Sequence, residues 1–433
     1  MKDMNIENST KNNQRTVPVI DSMILGKDRY YSLDCYKTRL NNNVLVVGTS
    51  GAGKTRSIVI PNLLQATGSY IISDPKGSLY KEYGDYLRDK GYEVRVLDFT
   101  CPEKSSHYNP FSYIRNSNDV LKTAHMIVKS SSTERGRTLE PFWEDAAELL
   151  AQSLISLMME IYPEEERTLA AMNQLIGMFY VGENYSEAKN KLDLIMDVRE
   201  KNDRNSQAAK QYRKFRIAAG KTLKSIVITI NSKLGMFDTP ELNKMTAYDD
   251  INVASIGRKP TALFVIVSDT DRSMDVMANM FFTQAMNELC RVADKECADY
   301  RLPIPVRFIL DDFATNVKIE EFPRMIASIR SRGISTMLMI QAESQLENCY
   351  DKDSKTIIGN CDTYVYMGGN DVDTAKAVSE RCDIPVKKIL NMPVGTEWIF
   401  RRGEAPYFGE NFDMEPFKQE MMMGGFESDA PCA

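Results

Sequence analysis

A glycine-rich run near the start of the chain carries the clearest chemical signal. It follows the apolar residues VLVV (44–47) and has the pattern G-x-x-x-x-G-K-T. Backbone N–H groups in such a loop, freed by glycine from Cβ clashes, can curl around phosphate oxygens at a helix N-terminus. The pattern therefore predicts a phosphate-binding loop. Its residues, with the one that follows, are Gly48, Thr49, Ser50, Gly51, Ala52, Gly53, Lys54, Thr55 and Arg56.

Lys54 and Thr55 define the chemistry of this loop. The lysine would bring positive charge to the β- and γ-phosphates of a nucleoside triphosphate, and the threonine hydroxyl would ligate Mg²⁺. The stretch KTRSIVIPNLLQA (54–66) can form the helix that such a loop requires. A chance match in a glycine-rich turn is the alternative. The strand before the loop and the helix after it make that alternative the weaker one.

Two adjacent acids follow another apolar strand, VRFILDDF (306–313). A magnesium-bound triphosphate needs a carboxylate from the end of a neighbouring strand. Asp311 would hold Mg²⁺, directly or through water, and Asp312 would orient or polarise the attacking water. The alternative is a pair of strand-end aspartates that cap the next element. Two acids directly after a nearly continuous apolar run favour the metal site.

The distance between these two motifs narrows the class of protein. Asp311 lies 311 − 54 = 257 positions beyond Lys54. Nucleotide kinases and small GTPases are usually more compact than this. The sequence also has no LSGGQ-like stretch, which argues against a transporter cassette.

The stretch ASIRSRGISTMLMIQAESQL (327–346) contains an amide and two cations of interest. Gln341 would end a strand beside the phosphate loop, where its amide could sense the γ-phosphate or merely cap the strand. The residues alone leave both interpretations open. Arg330 and Arg332 precede Gly333, where cations favour the helix dipole whatever the function. The alternative is an arginine finger that enters a neighbouring subunit's site, and the residues alone favour the dipole.

IISDPKGSLY (71–80) places Asp74 and Lys76 at the carboxyl end of a strand, where open α/β sheets bind ligands. A turn with proline at its second position explains most of this stretch. An accessory role near the phosphates is the secondary interpretation for both residues, and Arg332 is a third candidate for such a role.

A basic segment, residues 199–233, carries ten Lys or Arg against two acids, within a chain of net charge −6. It could follow a nucleic-acid backbone, with Tyr212 and Phe215 stacking on bases. A solvated helix face is the alternative, and the segment alone favours it. The triphosphate site predicted in the same chain makes DNA binding and a solvated face about equally well supported. The candidate DNA contacts are Lys210, Arg213, Lys214, Arg216, Lys221 and Lys224.

Short apolar runs must position these groups. Continuous apolar strands bounded by turn residues indicate a mostly parallel sheet covered on both faces, so the predicted fold class is α/β. The runs are VLVVG (44–48), SYIISD (69–74), EVRVLDF (93–99), TALFVIVSD (261–269), VRFILDD (306–312), STMLMIQ (335–341), DTYVYMG (362–368) and EWIFRR (397–402).

The strand pattern is interrupted between residues 112 and 250, which have helical periodicity. In PFWEDAAELLAQSLISLMMEIY (141–162) the apolar positions recur at helical spacing. We therefore predict an N-terminal tail (1–23), a discontinuous nucleotide-binding domain (24–112 and 251–415), an inserted all-helical domain (113–250) and a C-terminal tail (416–433). These boundaries are defined only to within several residues.

Composition limits the remaining possibilities. The chain has 433 residues, 43% of them hydrophobic and 26% charged, which is ordinary for a globular protein. Eight cysteines without a C-x-x-C pair, together with only two histidines, argue against a zinc site and a disulfide framework. No apolar run approaches the ~20 residues that span a bilayer. We therefore expect a cytoplasmic protein that reaches a membrane only through a partner.

Taken together, the motifs resemble the type IV secretion coupling proteins, the TraG/TraD-type conjugation ATPases, in the form found in Gram-positive mobile elements. The matching stretches occur in the family's order and extend from about Ile24 to Glu410. Individually only the phosphate loop is specific. The stretches are RLNNNVLVVGTSGAGKTRSIVIPNLLQ, DPKGSLY, YNPFSYI, FWEDAAELLAQSLI, VRFILDDFA, IASIRSRGIS, IIGNCDTYVYMGGND and FRRGEAPYFGE.

This resemblance implies a RecA-like core, a P-loop NTPase that forms a homo-hexamer around DNA. It implies that Lys54 and Thr55 bind ATP-Mg²⁺, that Asp311 and Asp312 form the acidic pair, that Gln341 senses phosphate and that Arg330 is a finger in trans. The implied partners are relaxase-bound single-stranded DNA, relaxase proteins, the conjugative secretion channel and a separate membrane-anchored protein that recruits the chain to the cytoplasmic face of the membrane.

The chain departs from the family pattern in two places. The acidic pair is often Asp-Glu in the family, so the shorter Asp312 must sit closer to the attacking water or act through a second one. The N-terminal membrane anchor of most relatives is also expected to be absent. Two other functions therefore stay open: an ATP-binding adaptor that docks protein cargo with little hydrolysis, and a P-loop kinase.

Overall fold

The computed structural model describes residues 22–129, 141–179, 189–217, 221–315 and 317–422. Its strands are β1 (Ser22–Gly26), β2 (Arg29–Ser32), β3 (Val44–Val47), β4 (Ser69–Ser73), β5 (Glu93–Asp98), β6 (Thr261–Ile266), β7 (Val306–Leu310), β8 (Ile334–Ile340), β9 (Thr363–Tyr366), β10 (Thr396–Arg401) and β11 (Tyr407–Glu410).

The α-helices are α1 (Cys35–Thr38), α2 (Ile60–Leu64), α3 (Ser78–Asp89), α4 (Ser117–Lys129), α5 (Pro141–Ile161), α6 (Leu169–Gly177), α7 (Lys191–Asn202), α8 (Gln207–Arg216), α9 (Lys221–Leu234), α10 (Pro240–Met245), α11 (Val253–Ile256), α12 (Asp275–Glu296), α13 (Phe322–Ile326), α14 (Glu343–Tyr350), α15 (Ser354–Gly359), α16 (Val372–Cys382), α17 (Val386–Leu390) and α18 (Met414–Met422).

Nine of the described strands form one sheet in the order β11-β10-β9-β3-β8-β7-β4-β6-β5. Every pair from β9 to β5 is parallel, and only the β9–β10 and β10–β11 pairs are antiparallel. Strands β3, β4, β6, β7 and β8 are buried along their whole length, as continuous apolar runs require when helices cover both faces. The predicted α/β fold with a mostly parallel sheet is therefore confirmed.

The sheet order decides which loops meet. Strands β3, β8, β7 and β4 are consecutive neighbours and run in the same direction. Their carboxyl ends therefore lie at one edge of the sheet, and their amino ends lie at the opposite edge. Ligands of open α/β sheets bind in the crevice outside the carboxyl ends.

Between β5 and β6 the described residues form helices and short turns. Helix α5 packs against α4, α8 and α9. The middle of α5 is buried, including Leu150, Leu154 and Met158, whereas Phe142 and Ile161 near its two ends are exposed. The apolar face predicted for residues 141–162 is thus buried in the middle of α5 and exposed at Phe142 and Ile161. The division of the chain into domains stays a prediction.

The chain after residue 415 departs from the expected C-terminal tail. Helix α18 extends from Met414 to Met422, and the ring of Phe417 packs edge-on against Phe412. Both rings are buried in a hydrophobic cluster that also contains residues of β3, β4, β6, β7, β8 and β9. The first residues of the predicted tail (416–433) therefore belong to α18 and are anchored by an apolar contact. The predicted acidic end, residues 424–433, lies outside the described residues, and the boundary at 416 stays a prediction. None of the described helices is both long and apolar enough to cross a membrane.

Glu397 is a fully buried acid on β10. Neither of its carboxyl oxygens has a hydrogen-bond partner among the described residues. It packs against Gly26, where any side chain would clash with Oε1. Burial raises the pKa of Glu397 to about 9 from its usual 4.5, because the charged form is poorly solvated there.

We expect Glu397→Gln to stabilise the protein increasingly as pH rises. The folded state keeps the Glu397 proton to about pH 9, whereas the unfolded chain releases it near pH 4.5. The wild type therefore loses up to about 1.4 kcal/mol of unfolding free energy per pH unit between those values, and the glutamine variant does not. Urea denaturation at pH 5 and pH 8 measures the difference, with the exposed Glu103→Gln as control. A difference between variant and wild type that stays constant with pH would contradict a buried neutral acid.

Candidate nucleotide-binding site

The glycine-rich loop connects β3 to a helix. Its first five residues, Thr55–Val59, are π-helical, and it continues as α2. Gly51 and Gly53 have φ values of 81° and 96°, a left-handed region that other residues rarely enter. The loop is anchored to its neighbours by backbone bonds, from Gly48 N–H to the carbonyl of Ile340 (3.1 Å) and from Thr49 N–H to that of Gly368 (3.1 Å). The glycines of the motif therefore allow a backbone curl at a helix start.

Lys54 lies inside this curl with only 8% of its surface exposed. Its Nζ donates to the carbonyl oxygens of Gly48 (2.6 Å) and Thr49 (3.3 Å). Burial lowers the pKa of Lys54, and the nearby carboxylates of Asp311 and Asp312 oppose that shift. The ammonium is thus held beside two acids by two carbonyls of its own loop, in a position from which it can turn toward an anion.

Thr55 and Asp311 meet although 256 positions separate them. The Thr55 hydroxyl donates to Asp311 Oδ2 at 2.8 Å, across the width of β8, which lies between β3 and β7. Burial raises the pKa of Asp311, and the Thr55 hydrogen bond opposes the rise. The predicted convergence of the loop and the acidic strand end is present.

These two oxygens fit a magnesium ion. Mg²⁺ is usually bound through one or two carboxylates together with substrate phosphates and water, and it needs no all-protein cage. The described residues contain no group of three or more His, Cys, Asp and Glu that could hold a metal by themselves. Thr55 and Asp311 would supply the two protein ligands, and a nucleotide would supply the others.

Asp312 has an unusual backbone. Its φ is 51°, and its N–H donates to Asp311 Oδ1 at 3.1 Å, while the next N–H, of Phe313, pairs with the carbonyl of Met339 (2.9 Å). Aspartate and asparagine tolerate this left-handed conformation better than other non-glycine residues. Position 312 therefore turns the chain sharply at the end of β7, where its side chain lines the cavity described next.

A cavity of about 630 Å³ lies at this edge of the sheet. Gln341 lines it at the end of β8, as predicted, and its N–H donates to Oε1 of Gln345 (2.7 Å). Asp74 also lines the cavity; burial raises its pKa, and its carboxylate accepts the N–H of Tyr80 (2.9 Å). Together the lining residues are Ser50, Gly51, Ala52, Gly53, Lys54, Thr55, Arg56, Asp74, Pro75, Lys76, Ser78, Leu79, Asp269, Asp311, Asp312, Thr315 and Gln341.

Three contributors to this edge were not among the predicted site residues. Gln345 holds the Gln341 backbone and donates to Thr315 Oγ1 (3.0 Å). Asn411 donates to the carbonyl of Ala52 (3.2 Å) and so supports the loop. Asp269 lies three residues after the end of β6, and its carboxylate is 3.9 Å from the exposed Lys76 ammonium. Asp269 is the last residue of the run TALFVIVSD, and this position could have predicted its place at the carboxyl edge of the sheet. The contact of Asn411 depends on tertiary packing.

Arg330 and Arg332 lie at the opposite edge of the sheet. They precede β8, whose seven residues place them roughly 23 Å from Gln341. Arg330 donates to the carbonyl of Cys35 (2.6 Å), and Arg332 forms a two-point ion pair with Asp294 (2.8 Å for both bonds). Neither arginine reaches the cavity of its own chain, so an accessory role of Arg332 there is excluded.

The basic segment differs from its predicted form in one respect. Tyr212 and Phe215 are 4% and 1% exposed and pack against Phe179, so the prediction that they stack on bases is wrong. Helix α8 turns these rings inward because they alternate with charged residues at helical spacing.

The cations of this segment are only partly available. Arg213 pairs with Glu200 (2.8 Å) and Arg216 with Asp193 (3.1 Å). Lys214 and Lys224 are exposed, and no ion pair is recorded for them within the described residues. Lys210 is half-buried, and the side chain of Lys221 lies outside the described residues.

The sequence matches known proteins along most of its length. The family model "Type IV secretory system Conjugative DNA transfer" matches residues 1–383. Protein VirD4 of Rhizobium rhizogenes is 27% identical over 352 residues, 78% of this chain and 48% of the relative. Conjugal transfer protein TraG of Escherichia coli is 24% identical over 369 residues, 78% of this chain and 54% of the relative. The chain thus spans about half the length of the curated relatives it matches.

The fold also matches a solved structure. The bacterial conjugative coupling protein TrwBdeltaN70, in its unbound monoclinic form, superposes with a TM-score of 0.65 at 18% identity, covering 91% of this chain and 88% of that one. A structure of TrwB in complex with ADP and Mg²⁺ superposes with a TM-score of 0.61 at 18% identity, covering 86% and 87%. This likeness confirms the predicted RecA-like core.

The family model covers far more than half of the chain. The chain belongs to the type IV secretory system family for conjugative DNA transfer, the coupling proteins.

Proposed function

We propose that this chain is an ATP-hydrolysing coupling protein that recruits relaxase-bound single-stranded DNA to a conjugative type IV secretion channel and drives its translocation. The observation that carries the proposal is the hydrogen bond between Thr55 and Asp311, which unites the phosphate loop and the acidic strand end in one cavity. Membership of the conjugative DNA transfer family supports the choice of DNA as the transported substrate.

Each side chain of the cavity has a role in this proposal. Lys54 would turn from its loop carbonyls to the β- and γ-phosphates of ATP, and Thr55 with Asp311 would hold Mg²⁺, which neutralises charge on the phosphates. Asp312 would orient the attacking water. Gln341 would sense the γ-phosphate and, through Gln345, transmit its loss to α14.

The proposed assembly is a homo-hexamer with ATP at each interface and Arg330 of one protomer completing the site of the next. This arrangement explains how an arginine at the amino edge of the sheet can act in catalysis. The further proposed partners are relaxase proteins, components of the secretion channel and a membrane-anchored protein that recruits the chain to the cytoplasmic face of the membrane.

Steady-state ATP hydrolysis with and without single-stranded DNA tests the function. We expect DNA to stimulate turnover, and Asp312→Asn to lower kcat by about 10²- to 10⁴-fold with ATP binding retained. Asparagine is the suitable replacement because alanine at φ 51° adds strain of roughly 1–2 kcal/mol. Asp383→Asn, at an exposed aspartate of similar φ (56°), is the matched control.

The outcome also separates the rival functions. Tight ATP binding with negligible hydrolysis by the wild type would indicate an adaptor that docks protein cargo. Phosphate transfer to an acceptor, without any effect of DNA, would indicate a kinase. Either result would overturn the motor proposal.

For DNA binding, we propose the exposed cations of α8 and α9. The double change Lys214→Glu and Lys224→Glu is expected to weaken single-stranded DNA binding, and to reduce the salt dependence of log K by about 0.7 for each DNA phosphate that a lysine no longer neutralises. Fluorescence anisotropy at several salt concentrations measures both quantities. Lys352→Glu, at an exposed lysine, is the control. An unchanged salt slope in the double variant would mean that Lys214 and Lys224 form a solvated helix face and do not contact DNA.

A further inference from the structure

A second cavity, of about 290 Å³, lies at the amino edge of the sheet, opposite the phosphate loop. The first residues of β4, β7 and β8 border it, so it is a full strand length away from Lys54 and Asp311. Its charged lining residues are three arginines and one aspartate: Arg301, Arg307, Arg330 and Asp34. The charge of its lining is therefore strongly positive, within a chain whose net charge is −6.

Arg307 is the most informative of these residues. It is on the central strand β7 and is 7% exposed, yet no carboxylate pairs with it among the described residues. Its one hydrogen bond to the described part of the chain is a long contact from Nε to Ser335 Oγ (3.4 Å), and burial lowers its pKa. A buried cation without a partner costs several kcal/mol, so the cavity it faces is suited to an anion.

The other two arginines meet at Cys35. Arg330 donates to the Cys35 carbonyl (2.6 Å), and Arg301 approaches the Cys35 sulfur (3.7 Å) while its guanidinium lies 5.1 Å from the ring centre of Tyr36. Each guanidinium group carries five N–H donors, so these contacts use only some of the ten donors of Arg301 and Arg330. Both guanidinium groups are therefore held in place and still have N–H donors that can bind a ligand.

The aspartate offsets only part of the charge of this cluster, through its electrostatic attraction to Arg301. Asp34 caps α1, and its Oδ1 accepts the N–H groups of Tyr36 (2.9 Å) and Lys37 (3.0 Å). No ion pair between Asp34 and an arginine of the cavity is recorded within the described ranges. The carboxylate thus serves the helix, and the three guanidinium groups keep an excess of donors.

We propose that this cavity is an oxyanion site that takes a phosphoryl group, bound by Arg307 from the floor and by Arg301 and Arg330 from the sides. Planar guanidinium forks match phosphate oxygens and bind them in two-point contacts. The volume, just below the ~300 Å³ lower range of small-molecule pockets, suits phosphate or the terminal phosphates of a nucleotide. The phosphoryl group is either free or carried by a nucleotide bound to a second copy of this chain; the latter source rests on the proposed function.

Inorganic phosphate titrated into the Lys54→Ala protein tests the site without a competing phosphate loop. We expect saturable binding by calorimetry, and binding at least about tenfold weaker in the added Arg307→Met change, which removes a charge-assisted contact. Arg307→Met should also melt at a higher temperature than its parent without phosphate, because it removes a buried unpaired cation. Arg324→Met, at an exposed arginine, is the control.

The proposal is overturned if phosphate does not bind the Lys54→Ala protein saturably, or if it binds Arg307→Met as tightly as the parent. Should Arg307→Met fail to fold, Arg301→Gln at the cavity wall provides the same comparison. We expect that variant also to weaken phosphate binding, and parent-like affinity would overturn the site.

Sedimentation with a non-hydrolysable ATP analogue and Mg²⁺ distinguishes the two sources. If a second copy supplies the phosphoryl group, nucleotide-dependent self-association is weakened by Arg301→Gln and by excess inorganic phosphate. If the ligand is free, phosphate binding is lost in Arg301→Gln while self-association is unchanged. Phosphate binding to the Lys54→Ala protein requires no hydrolysis, so a failure of the motor proposal would leave this test intact.

Discussion

Arg330→Ala is expected to lower the kcat of ATP hydrolysis by about 10³- to 10⁵-fold, the range known for arginine fingers, with little loss of ATP affinity. Arg330 lies at the amino end of β8, roughly 23 Å from Gln341 of its own chain. An effect on turnover must therefore act on the nucleotide of a neighbouring protomer. Rates and ATP affinities of the purified variant give the comparison.

Mixing two inactive variants gives a sharper result. When Arg330→Ala is mixed with Lys54→Ala, some interfaces combine an intact phosphate loop with an intact arginine, and we expect activity to return in part. Arg324→Ala, an exposed arginine on α13 that pairs loosely with Glu321 (3.6 Å), is the matched control and should hydrolyse ATP normally. Mixed oligomers without any activity would exclude an action of Arg330 in trans.

Lys54→Ala is expected to reduce ATP hydrolysis by at least about 10²-fold and to weaken ATP-Mg²⁺ binding, because an aligned charge in a water-poor site contributes strongly to catalysis. Lys54 is suited to this role because it is almost fully buried and lies beside Asp311 and Asp312. Calorimetry with ATP-Mg²⁺ and steady-state kinetics measure the two losses separately.

The exposed Lys352→Ala serves as the control for Lys54→Ala, and thermal melting of both variants checks that they fold. Wild-type turnover by a folded Lys54→Ala protein would remove the phosphate loop from the mechanism. The function proposed for the cavity at the carboxyl edge would then lose its basis.

Much of this site follows from local rules. The spacing of Gly51, Gly53 and Lys54 specifies a curled loop because only glycine enters its left-handed positions readily, and this holds whatever surrounds the loop. The apolar runs predicted strands, and the helical periodicity of residues 141–162 predicted α5, since both patterns report which side chains must be buried. The placement of Asp311 at a strand end was predicted in the same way.

The roles of other residues depend on long-range packing. Tyr212 and Phe215 belong to a basic segment, and only the packing of α8 against its neighbours shows that their rings are buried. Glu397 and Arg307 have nothing in their local sequence that indicates a buried ionisable group without a partner. Burial of a polar group depends on what the rest of the chain places around it.

Residue types at fixed local spacing were enough to predict the α/β fold class, the phosphate loop, the acidic pair and the family resemblance. The packing of the whole chain was needed to show that Thr55 contacts Asp311, that Arg330 lies at the opposite edge of the sheet, and that three arginines line one cavity there. These relations depend on strand order and direction, which bring distant segments together through the burial of both sheet faces.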